Sequence, residues 1–151
     1  MIALVQRVLE ASVAVDSEMV DTITNGMLVL LGVRMGDSED DAKYLAGKTV
    51  NLRIFSDENQ KMNLSLLGRG YEMLVVSQFT LHADTRHGNR PSFTDAAEPE
   101  IAERLYRKYI EECANLLGSS KVREGKFGAM MKVKLVNDGP VTIILKSKGE
   151  G

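Results

Sequence analysis

The pattern of apolar and polar positions along the chain predicts a protein built mainly from β-strands. Residues 2–8 and 12–16 are mostly apolar and are predicted to form two tightly joined strands. A further short strand is predicted at 19–24, and Asn25-Gly26, a dipeptide favoured in two-residue hairpin turns, precedes the apolar strand 27–33. The remaining predicted strands lie at 72–79, 120–124, 130–137 and 140–146.

Two segments carry the signals of amphipathic helices. Ser38 suits the cap of a first helix, whose acidic first turn complements the helix dipole and whose apolar stripe runs to Leu52. A second helix is predicted to start at Glu98-Pro99-Glu100 and to end at Gly118, after a polar loop over 83–95. Its predicted apolar face consists of Ile101, Leu105, Tyr109, Cys113 and Leu116. We therefore predict one α+β domain over residues 1–151, with a mostly antiparallel, barrel-like β core and two helices.

The composition is that of an ordinary globular domain, with 44% apolar and 26% charged residues in a chain of 151. The longest apolar run, Met27 to Val33, is far shorter than the roughly 20 residues that span a bilayer, so no membrane contact is expected. With a lone Cys113 and no signal-peptide pattern, the expected compartment is the cytoplasm.

Charge is distributed unevenly along the chain. The net charge of −2 argues against a generic nucleic-acid-binding surface. Residues 119–151, however, hold seven basic and three acidic residues. This basic segment is either a contact for a polyanion or a solvated strand face, and charge alone leaves both interpretations open.

The common catalytic motifs are missing from the sequence. It contains no phosphate-binding loop, no dinucleotide-binding glycine pattern, no H-E-x-x-H zinc motif and no G-x-S-x-G nucleophile turn. His82 and His87 are the only histidines, and no third ligand accompanies them. We therefore expect neither a metal ion nor another cofactor.

Two polar segments depart from the patterns of plain strands and turns. Ser77-Gln78-Phe79-Thr80 ends an otherwise apolar strand, where polar side chains either satisfy neighbouring backbone groups or line a cleft. Asn137-Asp138-Gly139-Pro140-Val141-Thr142 has the composition of a hairpin turn between the last two predicted strands.

Together these segments closely resemble the two signature motifs of the D-aminoacyl-tRNA deacylase family. Five further stretches match the family in the same order, so that the resemblance runs from residue 1 to about residue 146. They are Val5-Gln6-Arg7-Val8, Asn51-Leu52-Arg53-Ile54-Phe55, Lys61-Met62-Asn63-Leu64-Ser65-Leu66, Arg90-Pro91-Ser92-Phe93 and Lys126-Phe127-Gly128-Ala129-Met130-Met131.

The resemblance implies a homodimeric hydrolase with its active site at the subunit interface. Its substrate would be D-aminoacyl-tRNA, whose ester bond is cut to release a free D-amino acid and tRNA. The family's Gly-Pro bond is cis, and the partner's Gly139 and Pro140 would exclude L-residues by presenting rigid backbone carbonyls to the substrate's amino group. Glycine on tRNA should also enter such a site, since it has no side chain to exclude.

By the same resemblance, the other site residues divide into two groups. The catalytic group is Ser77, Gln78, Phe79 and Thr80, with the backbone N–H groups of Phe79 and Thr80 as the candidate oxyanion hole. The supporting group is Phe127 and Met131, on the side that binds the terminal adenosine, and Arg7, which braces the Gly-Pro turn. For this second group, plain roles in the core or in a surface ion pair also remain open.

Several alternatives stay open at this level. Thr80 is either a nucleophile or mainly a backbone donor, and the absence of an evident base favours the donor role together with assistance from the ribose 2′-OH. His87 stands where family members often carry Lys, which leaves Arg86 or Arg90 to supply charge near a phosphate. The competing functions are removal of glycine from tRNA, a non-catalytic RNA-binding module that uses the basic segment, and a purely structural dimerisation domain.

Overall fold

The fold centres on a curved, six-stranded β-sheet that buries apolar side chains on both of its faces, and two short strands form a separate small sheet. The computed structural model describes residues 1–147, so the last four residues of the basic segment 119–151 lie outside the described residues. The strands are Ile2–Val15 (β1), Glu18–Ile23 (β2), Gly26–Gly32 (β3), Phe55–Ser56 (β4), Met62–Leu64 (β5), Glu72–Ser77 (β6), Val122–Glu124 (β7) and Lys132–Lys146 (β8). The α-helices are Glu39–Val50 (α1), Leu66–Arg69 (α2) and Pro99–Leu117 (α3), and 3-10 helices cover Phe79–His82 and Ser119–Lys121.

The main sheet has the strand order β2-β1-β3-β6-β7, and β8 pairs with β1. Three of its pairings are antiparallel, whereas β3–β6 and β6–β7 are parallel. Arg123 of β7 lies 3.8 Å from Asp21 of β2, so the two ends of the sheet come close together, and 3.6 Å from Glu72 of the neighbouring β6. The predicted α+β fold with a mostly antiparallel, barrel-like sheet is confirmed.

Each face of the sheet has its own apolar core. Met27, Val29 and Leu31 of β3 pack on one face with residues of α1 and α3. Leu28 of β3 packs on the other face, inside the curved sheet, with Leu74 of β6. Because both faces are buried, β3 and β6 read as continuous apolar runs rather than as alternating ones.

The two strands predicted at 2–8 and 12–16 are one strand, β1. It turns into β2 through Asp16 and Ser17, whose φ angles of 50° and 67° are the positive values of a tight primed hairpin turn. The hairpin predicted at Asn25-Gly26 is wrong. Both β2 and β3 pair antiparallel with β1, so the chain continues in the same direction through Asn25. Gly26 instead allows β3 and β6 to lie close together, because a Cβ there would lie 1.7 Å from the Glu72 carbonyl oxygen.

The hairpin predicted between 130–137 and 140–146 is also wrong. Both segments belong to β8 and pair antiparallel with β1, with Asn137 opposite Val8 and Thr142 opposite Gln6. Between these two pairs, β1 advances by two residues while β8 advances by five. The intervening residues Asp138–Val141, here called the Gly-Pro bulge, project out of the strand register.

The helical predictions hold except in two respects. Helix α1 follows Ser38, whose N–H donates to the Asp41 carboxylate at 2.8 Å, and α3 runs from Pro99 to the residue before Gly118. The predicted apolar face of α3 is partly wrong, because Ile101 and Leu116 are 46% and 44% exposed. Residues spaced four apart do not stay on one line along a helix with 3.6 residues per turn, so the two ends of the predicted face turn away from the core. Ala102 and Tyr106 take buried positions instead.

The prediction of two helices omitted α2. Four residues are too few to show helical periodicity, and local capping accounts for this helix instead. The Gly68 N–H donates to the Ser65 hydroxyl at 3.0 Å, and Gly70 ends the helix with a φ of 66°.

Candidate active site

The Ser77–Thr80 segment leaves the sheet where β6 ends. The strand predicted to reach residue 79 stops at Ser77, after four side chains that are at most 2% exposed. The Gln78 N–H still donates to the Leu31 carbonyl at 2.8 Å, and the chain then folds into the 3-10 helix Phe79–His82, here called the catalytic turn. The Leu81 N–H donates to Gln78 O at 3.3 Å, and the Ala83 N–H donates to Thr80 O at 3.1 Å.

Two neighbouring backbone donors are left over at the start of the catalytic turn. The first N–H groups of any helix have no partner within it. Among residues 1–147, those of Phe79 and Thr80 also have no backbone partner outside the helix. Two adjacent, pre-oriented N–H groups can stabilise an oxyanion, which is the chemistry expected of them.

The side chains of the catalytic turn differ in their surroundings. The Gln78 amide donates to the Thr80 hydroxyl oxygen at 2.5 Å. Within residues 1–147, no imidazole, carboxylate or amine hydrogen-bonds to that hydroxyl. The Phe79 ring is 56% exposed and contacts Phe93 edge-on, with 5.1 Å between the ring centroids. Phe93 was quoted within a matching motif but not predicted as a site residue.

The Gly-Pro bulge is held from two sides. The Gly139–Pro140 bond is cis, as the resemblance led us to expect. Arg7 donates through Nε to Asp138 O at 2.9 Å and through Nη1 to Ile54 O at 2.7 Å. The Asn137 side chain spans the bulge, since its oxygen accepts from the Val141 N–H at 2.7 Å and its amide nitrogen donates to Val141 O at 3.2 Å. Asn137 was not predicted as a site residue, although it opens the motif.

Phe127 and Met131 lie beside the end of β6. Gly125 N–H donates to Val75 O at 2.9 Å, which attaches their segment two residues before Ser77. Phe127 is partly buried against Tyr106, with ring centroids 5.4 Å apart, and the Met131 sulfur accepts from the Lys126 N–H at 3.4 Å. The structure thus brings these two residues to the same end of the sheet as the catalytic turn.

The Gly-Pro bulge and Arg7 lie elsewhere in the same chain. The bulge sits on β8, and β1 and β3 separate it from β6, which is about 14 Å at ordinary strand spacing. Along the strands, Arg7 is in register with Met73, four residues before Ser77, which adds about 13 Å. Along the sheet, the two signature motifs of one chain therefore lie apart, and no hydrogen bond within residues 1–147 joins them.

The loop over 83–95 contains an internal ion pair. Arg86 donates through Nε and Nη2 to the Asp84 carboxylate at 2.9 and 2.7 Å. These side-chain bonds, with the Arg86 backbone N–H, lower the pKa of Asp84 to about 2. The guanidinium of Arg86 is thus paired with Asp84, and the side chains of Arg86, His87 and Arg90 are all exposed.

Two absences can be stated for residues 1–147. No helix there is long and apolar enough to cross a membrane. No group of three His, Cys, Asp or Glu side chains is arranged in that range so as to hold a metal ion.

Sequence comparisons show which proteins the chain resembles. The sequence model described as D-Tyr-tRNA(Tyr) deacylase matches residues 4–146. A D-aminoacyl-tRNA deacylase of Thermosipho africanus (strain TCF52B) is 55% identical over 146 residues, covering 97% of each chain. One of Roseiflexus sp. (strain RS-1) is 59% identical over 145 residues, covering 96% of this chain and 92% of its own.

Two solved structures are similar over nearly the whole chain. The "c-Myc DNA Unwinding Element Binding Protein" is 41% identical with a TM-score of 0.94, covering 99% of this chain and 100% of its own. A probable eukaryotic D-amino acid tRNA deacylase shares the fold at 15% identity with a TM-score of 0.80, covering 95% and 97%.

Proposed function

The chain belongs to the D-Tyr-tRNA(Tyr) deacylase family, and on that premise we propose that it hydrolyses the ester bond of D-aminoacyl-tRNA. The products are a free D-amino acid and tRNA. The observation that carries this proposal is the pair of unpartnered N–H groups at Phe79 and Thr80, at the end of the first signature motif. An aminoacyl ester develops negative charge on its carbonyl oxygen when water attacks, and two such donors stabilise that charge.

The oxyanion role can be tested by deleting one donor. Removal of one donor from an oxyanion hole typically costs about 2.7 to 4 kcal/mol of transition-state stabilisation. Phe79→Pro removes both the N–H and the ring, whereas the matched variant Phe79→Ala removes only the ring. Proline is tolerated at the first position of a helix, and the backbone of Gln78 (φ −147°, ψ 82°) lies outside the α region that a following proline disfavours. We expect kcat to fall about a hundredfold or more in Phe79→Pro relative to Phe79→Ala. Equal rates would show that the Phe79 N–H does not stabilise the oxyanion.

Thr80 acts through its backbone in this proposal. Its hydroxyl contacts the Gln78 amide, which cannot accept a proton at neutral pH, so the hydroxyl is not activated as a nucleophile. The ribose 2′-OH of the terminal adenosine and a water molecule then carry the proton transfers. Ser77 and Gln78 fix the end of the strand, while Phe127 and Met131 border the adenosine from the neighbouring segment.

The site is completed by a second copy of the chain. Support comes from the separation of the Gly-Pro bulge from the catalytic turn within one chain, roughly 15 to 20 Å along the sheet. Further support comes from β8, which in residues 1–147 pairs only with β1 and so presents a 15-residue edge for association. A homodimer places the partner's Gly139 and Pro140 opposite the turn.

Handedness is selected by the partner's Gly-Pro bulge. Its backbone is fixed by Arg7 and Asn137, so its carbonyls form a rigid wall for the substrate's α-amino group. A D-residue directs its side chain away from that wall, while an L-residue directs it into the wall. Glycine has no side chain to exclude, and we expect it to be hydrolysed as well.

Turnover of matched substrates tests the function. D-Tyr-tRNA should be hydrolysed at least about a hundredfold faster than L-Tyr-tRNA, a difference of roughly 2.7 kcal/mol. Equal rates would contradict chirality selection, and no turnover of either would favour the alternative of a non-catalytic RNA-binding module. Sedimentation should give about twice 16.6 kDa, and an active monomer would contradict the shared site.

A further inference from the structure

Gly32 lies directly beneath the catalytic turn, where a larger residue does not fit. A Cβ on Gly32 would lie 2.9 Å from the Gln78 carbonyl oxygen and 3.1 Å from both Leu81 Cβ and His82 Cδ2. Carbon atoms in contact are ordinarily about 3.5 to 4.0 Å apart. Gly32 is not among the glycines with a positive φ, so its role is to provide space rather than an unusual backbone conformation.

His82, at the end of the catalytic turn, packs against Gly32. Its side chain is 8% exposed, and its Nε2 atom is buried without a hydrogen-bond partner in residues 1–147. The imidazole turns its Cδ2 edge towards Gly32, where that carbon lies 3.1 Å from the position of an added Cβ. The contact between these two residues is therefore one of packing against the bare backbone of Gly32.

We propose that Gly32 and His82 are positioning residues that together set the height of the catalytic turn above the end of β3. The Gln78–Leu31 hydrogen bond fixes the start of the turn, and the Gly32–His82 contact fixes its end. Between these two points lie the N–H groups of Phe79 and Thr80. Their direction therefore depends on a contact that does not touch the substrate; this inference rests on the proposed deacylase function.

The first test compares two glycine-to-alanine substitutions. In Gly32→Ala the added methyl pushes the turn outward by several tenths of an ångström, and the donors lose part of their alignment. We expect kcat on D-Tyr-tRNA to fall between ten- and a hundredfold, with KM changed less than threefold. Gly47→Ala is the matched control, because a Cβ there meets nothing within 4 Å. A kcat for Gly32→Ala within threefold of the wild type would overturn the proposal.

The second test does not depend on the folding of Gly32→Ala. His82→Ala removes the packing, and we expect kcat to fall at least fivefold with KM little changed. His82→Leu keeps a side chain of similar volume and removes both nitrogens, and it should retain at least about a third of the wild-type kcat. A large loss of kcat in a folded His82→Leu protein would show that the imidazole acts chemically and would overturn the packing role.

A structural measurement separates this proposal from the deacylase function. Inactive wild-type protein would contradict the function, and the amide ¹H–¹⁵N resonances of Phe79 and Thr80 would then decide the positioning role. They should shift in Gly32→Ala and stay in place in Gly47→Ala. Unchanged resonances in Gly32→Ala would overturn the proposal whether or not the wild type is active.

Discussion

Arg7 offers the most direct test of how the Gly-Pro bulge selects substrates. Its guanidinium bridges two carbonyls, Asp138 O at 2.9 Å and Ile54 O at 2.7 Å, and its side chain is only 14% exposed. A hydrogen bond from a charged donor contributes about 1.5 to 3 kcal/mol. A lysine at this position has one ammonium and reaches one carbonyl, so Arg7→Lys should lower the free energy of unfolding by about 1.5 to 3 kcal/mol. The measurement is urea denaturation at pH 7.

The same substitution should weaken discrimination between D- and L-substrates. A single ammonium no longer ties Asp138 O to Ile54 O, so the bulge is free to move, and an L-residue then finds space that a fixed wall denies. We expect the ratio of kcat/KM for D-Tyr-tRNA over L-Tyr-tRNA to fall at least tenfold, chiefly because the L-substrate is hydrolysed faster. That change equals about 1.4 kcal/mol of differential transition-state binding.

The matched control is Arg69→Lys. Arg69 lines the same cleft behind the bulge, but its guanidinium contacts Tyr71 and not the bulge. Its substitution should leave the D-to-L ratio within about twofold of the wild type. If Arg7→Lys loses stability and keeps the ratio, rigidity of the bulge does not select handedness and the reasoning is refuted.

Three further predictions concern other parts of the chain. Thr80→Ala keeps the backbone donor and should reduce kcat no more than tenfold, whereas D-Tyr-tRNA ending in 2′-deoxyadenosine should be hydrolysed far more slowly by the wild type. Burial raises the pKa of the Cys113 thiol to about 12, so native protein should resist thiol reagents. The folded state keeps this proton while the unfolded state loses it above about pH 8.5, so stability should fall as pH rises from there towards 12 and fall less in Cys113→Ala. Gly47→Ala, within α1, should raise the unfolding free energy by about 0.5 to 1 kcal/mol in urea denaturation.

Local sequence signals predicted the elements well but not their pairing. Ser38 and Gly118 mark helix ends because capping is decided within a few residues. Both hairpin predictions failed because a turn composition does not reveal whether the following strand reverses. At Asn25 and at the Gly-Pro bulge the chain continues along β1, and only the register with that distant strand decides this.

Some residues proposed for the site could not be predicted, because their contacts join parts of the chain that are distant in sequence or register. Gly32 interrupts the apolar run Met27 to Val33, and an isolated glycine in a strand indicates a close backbone approach. The segment that approaches Gly32 is the catalytic turn, which begins 47 positions further on and ends at His82, and no local pattern predicts this contact. Asn137 was visible in its motif, but its bonds across the bulge depend on the break in register between β1 and β8.

The two motifs also differ in what holds their backbones in place. The catalytic turn ends a strand buried on both faces, so its donors are fixed by the rigid interior of the sheet. The Gly-Pro bulge projects from an edge strand and lacks that support, which Arg7 and Asn137 supply through direct bonds instead. A substitution near the turn should therefore change kcat, whereas one near the bulge should change which substrates are accepted. If the site joins two chains, these two effects belong to different subunits, and each can be altered without moving the other.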